Sequence, residues 1–197
     1  LALPISPPPE PTLDNFVPGS NAELLATLRE LAAGRCPESV IYLWGEPGSG
    51  RSHLLRASTR EGVVCADDVE RLDDHGQIAL FNAINQAREA GATVLAAGNA
   101  PPAQLALRED LRSRLGWGLV YQVKPLSDAE KALYLRAEAG RRGLKVPDEV
   151  VWYLLTHVRR DLHSLSALLD RLDRASLEQS RPITLPLVRE ALRSLEP

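Results

Sequence analysis

Methionine is absent from all 197 residues, so Leu1 does not mark a translation start. Cysteine is scarce. Only Cys36 and Cys65 occur, and their separation lacks metal-ligand spacing, which excludes a zinc site built on them and points to a reduced, cytosolic setting. No apolar run approaches the roughly 18 residues of a membrane span, and no signal peptide is recognisable. Positive charge is not in excess either. With 23 Lys and Arg against 26 Asp and Glu the net charge is −3, which argues against strong autonomous DNA binding, since that function leaves a basic footprint. Against these absences, 44% of the residues are apolar, enough for a real core in one domain with or without a small lid.

The rest of the chain is organised around Gly45-Glu46-Pro47-Gly48-Ser49-Gly50-Arg51-Ser52. Upstream, Ser39-Val40-Ile41-Tyr42-Leu43-Trp44 reads as a buried parallel strand; downstream, His53-Leu54-Leu55-Arg56-Ala57 reads as the first turns of a helix. Strand, Gly-x-x-x-x-Gly-basic-Ser and helix form the phosphate-binding loop pattern. Its glycines let the backbone curl so that successive N–H groups face phosphate oxygens, and the helix start adds partial positive charge. Ser52 would reach a magnesium ion. Arg51 stands where the pattern prefers lysine; it keeps the charge but replaces a compact ammonium by a planar fork. This predicts nucleotide binding with weak hydrolysis.

Residues 1–11 contain five prolines and read as an extended arm that opens with the apolar Leu1-Ala2-Leu3-Pro4-Ile5, either a frayed terminus or a docking peptide. Ser20 or Asn21 caps a helix running to Gly34, with Leu24, Leu25, Leu28 and Leu31 as its apolar stripe. After the loop helix only Ser58 to Gly62 precede the next strand. Nucleotide-binding sheets normally insert a further strand and helix here, so the chain is expected to be interrupted at this point. Val63-Val64-Cys65-Ala66 reads as a buried strand ending in Asp67 and Asp68. Paired with a phosphate loop, such carboxylates hold the magnesium water shell and polarise an attacking water; alone they mark a common strand-to-turn transition.

A helix is expected from about His75 to Ala90, with Ile78, Phe81, Ile84 and Asn85 on one face, then a buried strand from Ala92 to Ala97. Asn99 follows that strand and would lie beside the phosphates, unless it only forms the turn. Leu111–Gly118 reads as a short helix and turn whose arginines, Arg112 and Arg114, are by default a solvated face. Leu119–Val123 is the last strand. From Ser127 the pattern is wholly helical. Ser127 and Glu130 form a capping box for a helix ending near Gly143. Pro147 opens a second helix through Val158, Asp161 caps a third reaching about Gln179, and Thr184 starts a fourth. The fold class is therefore α/β, a phosphate-loop domain with a parallel sheet over 12–125, followed by a small all-helical lid over 126–197.

These pieces together resemble the AAA+ ATPase family, and more narrowly the DnaA-related regulatory inactivators, the Hda family. The resemblance is carried by Asn15-Phe16-Val17-Pro18-Gly19, the loop Gly45–Ser52, Asp67-Asp68, Pro101-Pro102 and above all Ser113-Arg114-Leu115-Gly116-Trp117-Gly118. Arg51 in place of lysine, and a chain that stops after the lid, also resemble these regulators. The resemblance implies roles. Asn15, Phe16 and Val17 would border the adenine; Gly45, Pro47, Gly48, Ser49, Gly50, Arg51, Ser52 and His53 would surround the phosphates of ADP or ATP. Ser52 and Asp67 would hold Mg2+, with Asp68 and Asn99 in catalytic positions and Asn99 as the first sensor. Arg114 would be an arginine finger acting in trans. His163 occupies the place of a second-sensor arginine, where a histidine carries little charge near pH 7. Leu1, Leu3 and Pro4 would end a peptide that binds the DNA polymerase sliding clamp.

Three functions compete at this stage. The first is an ADP-bound, cytoplasmic regulator that works with the DNA-loaded clamp, stimulates ATP hydrolysis by DnaA and prevents reinitiation, with homo-oligomers possible. The second is a stand-alone AAA+ ATPase or helicase-loader-type remodeller using its own Asp67 and Asp68. The third is a nucleotide or metabolite kinase, against which the lack of an acceptor site speaks.

Overall fold

Val40–Trp44 forms the central strand β1, and its side chains divide by the two-residue period of a strand. Val40 and Tyr42 enter one apolar cluster, Ile41 and Leu43 a second on the opposite face of the sheet. The same split recurs in β3, Thr93–Gly98, where Val94 and Ala96 face one side and Leu95 and Ala97 the other. Such continuous apolar strands belong in a parallel sheet covered on both faces. The computed structural model, which describes residues 10–157, 169–176 and 181–193, has a sheet of this kind. With β2, Val63–Ala66, and β4, Leu119–Gln122, its order is β2-β3-β1-β4 and every pairing is parallel.

Helices α1, Ala22–Ala32, and α2, Arg51–Ala57, cover one face through Leu24, Leu25, Leu28, Leu31, Leu54 and Leu55. Helices α3, Asp74–Ala90, and α4, Glu109–Leu115, cover the other through Leu80, Ile84, Ala87, Leu111 and Leu115. Asn21 precedes α1, but its side chain makes no capping bond. It donates instead to Pro18 O and Lys124 O and accepts from Lys124 N, tying the start of α1 to the end of the last strand. Along α3 the buried face is Gln77, Leu80, Ile84 and Ala87, so the apolar stripe is rotated from the expected one and Ile78 is exposed. Gly118 admits the chain into β4, because a β-carbon there would overlap the Val40 carbonyl.

Residues 58–62 turn directly from α2 into β2. Arg60 O accepts from Val63 N at 3.2 Å, and Gly62 O accepts from Thr93 N at 3.0 Å, so the expected inserted strand and helix do not occur between these elements. The crossover, α2 included, already exceeds the roughly dozen residues that a parallel connection needs. One consequence corrects the reading of β2 as a buried strand: among the described residues it pairs only with β3, and Val64 and Cys65 are exposed.

The chain divides into two compact units, Leu1–Pro125 and Leu126–Pro197. The second contains α5, Asp128–Arg141, α6, Asp148–His157, a helical stretch at 169–176, and α7, Leu185–Arg193. The capping box opens α5 as its sequence requires: Ser127 Oγ accepts from Glu130 N at 3.3 Å, and Glu130 Oε2 accepts from Ser127 N at 2.7 Å. Val150, Leu154, Leu172, Ile183, Leu187 and Val188 form the largest of its apolar clusters. Glu138, almost fully buried, is paired with Arg141 and Arg142, and Arg142 reaches Asp170 at 2.7 Å. Among the described residues, no helix is long and apolar enough to cross a membrane.

Candidate functional site

Strand order reverses about β1: the chain crosses to β2 and β3 on one side and only later to β4 on the other. In sheets of this kind, the crevice beyond the carboxyl end of the strand at the reversal is where ligands bind. Here that end is Trp44, and Gly45–Gly50 leads out of it into α2.

The loop owes its path to its small residues. A β-carbon at Gly45 would come within 2.5 Å of Val123 O, so only glycine lets the loop leave the sheet beside β4. Gly48 and Gly50 have φ of 81° and 102°, left-handed values that favour glycine. Ser49 N donates to Glu46 O at 3.1 Å and closes the turn. Two polar groups in and just after it, Ser49 Oγ and Arg51 Nη1, are buried with no hydrogen-bond partner among the described residues. Arg51 is only 9% exposed. A cation that far from water normally has an anion beside it. The donor set and its shape therefore fit the phosphates of a nucleotide, which Arg51 and the loop amides would hold. Ser52 is half-buried on the first turn of α2 and Asp67 is exposed just past β2. No cluster of three or more His, Cys, Asp or Glu among the described residues could hold a metal ion by itself. A magnesium ion at Ser52 and Asp67 would thus take most of its ligands from phosphate and water.

The segment before α1 folds onto this loop. Thr12 O accepts a hydrogen bond from His53 Nε2 at 2.9 Å, and the Phe16 ring stands 5.5 Å from the His53 ring. The Asn15 side chain is engaged locally, accepting from Thr12 N and donating to Glu10 O. Val17 lies on the same segment and is half-buried.

At the carboxyl ends of β2 and β3 the two aspartates part. Asp67 Oδ1 accepts from Asp68 N at 2.9 Å, while Asp68, at a left-handed φ of 48°, pairs with Arg71 at 3.6 Å. The carboxylate that meets Asn99 is Glu70, whose Oε2 accepts from Asn99 N at 3.3 Å. Nearby, the buried Tyr42 hydroxyl donates to Ala100 O at 2.8 Å. Burial raises its pKa well above the usual tyrosine range; Glu70 raises it further and Arg51 offsets part of the rise. Neither Glu70 nor Tyr42 carries a motif signal, because their place in the site comes from strand pairing and not from spacing.

Arg114 sits on α4, half-buried, with its guanidinium over two aromatic rings, Trp117 at 3.6 Å and Phe81 at 5.2 Å. No side-chain hydrogen bond or ion pair joins it to any described residue. His163, Leu1, Leu3 and Pro4 lie outside the described residues.

The sheet order, the loop after β1 and the helical second unit give the chain a AAA+-type fold. Its fold matches domain III of the replication initiation protein DnaA from Thermotoga maritima with a TM-score of 0.73 at 20% identity, over 96% of this chain and 99% of that one. It also matches AMPPCP-bound DnaA from Aquifex aeolicus, TM-score 0.71 at 19% identity, over 87% of this chain and 67% of that one. The RuvB Holliday junction branch migration motor of Thermotoga maritima follows with a TM-score of 0.69 at 16% identity, over 94% of this chain and 72% of that one. Residues 128–192 match the family model described as the lid domain of Hda, so the helical unit is similar to an Hda lid.

Proposed function

We propose that this chain is a nucleotide-bound, cytoplasmic regulator of DNA replication initiation. Docked on the DNA-loaded sliding clamp, it stimulates ATP hydrolysis by DnaA and so prevents reinitiation. The observation that carries the reading is the Hda-type lid over 128–192 on a fold shared with DnaA domain III.

In this reading ADP, with Mg2+ at Ser52 and Asp67, fixes the chain's own site. The buried Arg51 guanidinium and the loop amides bind its phosphates, and Phe16, packed against His53, covers the loop. Arg114 acts elsewhere, on the γ-phosphate of ATP bound to the partner. A guanidinium with unspent N–H donors brackets oxyanion charge that grows as the terminal phosphoryl group leaves. Leu1, Leu3 and Pro4 belong to the clamp-binding peptide, which keeps the regulator at replicating DNA.

The test is conversion of DnaA-bound ATP to ADP over time, with clamp, DNA and either the parent chain or Arg114→Ala. Removal of an arginine finger costs on the order of a thousandfold or more. Arg114→Ala is expected to abolish stimulation while ADP binding and clamp capture stay intact. Stimulation equal to the parent's would sink the reading, and loss of clamp capture on deleting residues 1–5 would support its other half.

A further inference from the structure

Arg114 and Trp117 are three residues apart across the end of α4, and Trp117 N donates to Arg114 O at 3.2 Å in the closing turn. This local bond brings the indole beneath the guanidinium at 3.6 Å, while Arg88 from α3 approaches the same ring at 5.4 Å. Trp117 is 52% exposed, too open to be a core residue. Gly118 fixes its exit, since only glycine passes the Val40 carbonyl there. A stack engages the face of a guanidinium and leaves the N–H groups around its edge free. An ion pair would hold the side chain equally well but would spend those donors.

We infer that Trp117 is the positioning residue for Arg114, a platform that holds the guanidinium by its face so that its edge meets the partner's phosphate oxygens. The inference rests on the regulator reading above, in which Arg114 acts on ATP bound to the partner. It places no contact between Trp117 and the nucleotide. Preorganisation of this kind lowers the ordering cost of the arginine as the reaction proceeds and therefore acts on the rate at saturation. A cation–π contact is worth a few-fold when exposed and about thirtyfold when desolvated, which sets the size of the effect.

The experiment measures stimulated ATP hydrolysis by DnaA, with clamp and DNA, against concentration of the full chain. Parent, Trp117→Phe, Trp117→Leu, Trp117→Ala and Arg114→Ala are run side by side, with thermal melting of each. Trp117→Leu and Trp117→Ala are expected to lower the maximal rate by about tenfold, with the half-saturating concentration unchanged and melting close to the parent's. Trp117→Phe, which keeps a ring face, is expected to stay within about threefold of the parent. The inference is overturned if Trp117→Leu performs as well as Trp117→Phe, because bulk and not the ring then matters. A raised half-saturating concentration at full maximal rate also overturns it, making Trp117 a docking contact. So does a rise in rate with Trp117→Ala, which would make the stack a parked state. In each of those cases an inactive Arg114→Ala leaves the regulator reading standing. A fully active Arg114→Ala removes both.

Discussion

The Phe16 ring lies directly against Gly50, so that a β-carbon added at Gly50 would come within 2.7 Å of Phe16 Cε2. The segment before α1 and the phosphate loop are thus fitted to one another at the residue preceding α2, and this close approach adds to the left-handed φ of 102° at Gly50. Together with the His53 contact to Thr12 O, it makes residues 12–16 a cover over the loop.

Gly50→Ala is therefore expected to impair the loop in two ways. The backbone conformation costs about 1–3 kcal/mol for a residue with a side chain, and the methyl group pushes Phe16 off the loop. Calorimetric titration with ADP should show at least a tenfold weaker affinity, with lowered melting. Adding Phe16→Ala relieves the contact but not the φ strain, so the double variant should recover only part of the melting temperature. Full recovery would mean that the backbone conformation carries no cost.

Tyr42 predicts an alkaline limit to stability. Its hydroxyl is buried and bonded to Ala100 O, and burial raises its folded-state pKa above the unfolded value of about 10. Above about pH 10 the unfolded chain releases this proton while the folded chain keeps it, so the folded state binds more protons and stability falls as pH rises. Below that pH the contribution is fully present. Tyr42→Phe should cost about 1 kcal/mol at neutral pH, the worth of one hydrogen bond, and should melt with a shallower decline between pH 10 and 11.5. Parallel declines in both chains would show that another group sets the limit.

The lid has an acid-side counterpart. The Ser127 hydroxyl and backbone N–H hold the Glu130 carboxyl below the usual glutamate range. A depressed carboxyl contributes stability above its unfolded value that is lost as pH falls through the folded one. Ser127→Ala removes the hydroxyl half of the box, leaves the backbone N–H bond to Glu130, and should cost about 0.5–2 kcal/mol. Urea melting followed at Trp152, on α6 of the same unit, should show the gap between parent and variant narrowing as pH is lowered from 6 toward 3. A gap that stays constant would assign the loss to packing.

The sequence by itself determined the elements that depend on local chemistry. The loop glycines, the Ser127–Glu130 box, the apolar stripe of α1 and the period-two strands β1 and β3 each need only neighbouring residues, and each formed where the pattern put it. Tertiary structure decided whatever depends on what lies alongside. β2 has the composition of a buried strand, yet among the described residues no strand pairs with its outer edge, and Val64 is 45% exposed. Asn21 has the chemistry of a cap, but the end of the last strand runs close enough for Lys124 to claim its side chain. Glu70 reaches Asn99 only because β2 and β3 pair in parallel with their carboxyl ends together. Arg114 looked like a solvated helix residue, and the physical reason it is not lies in packing: α3 against α4 brings Phe81 within reach, while the turn at Gly116 folds Trp117 under the guanidinium.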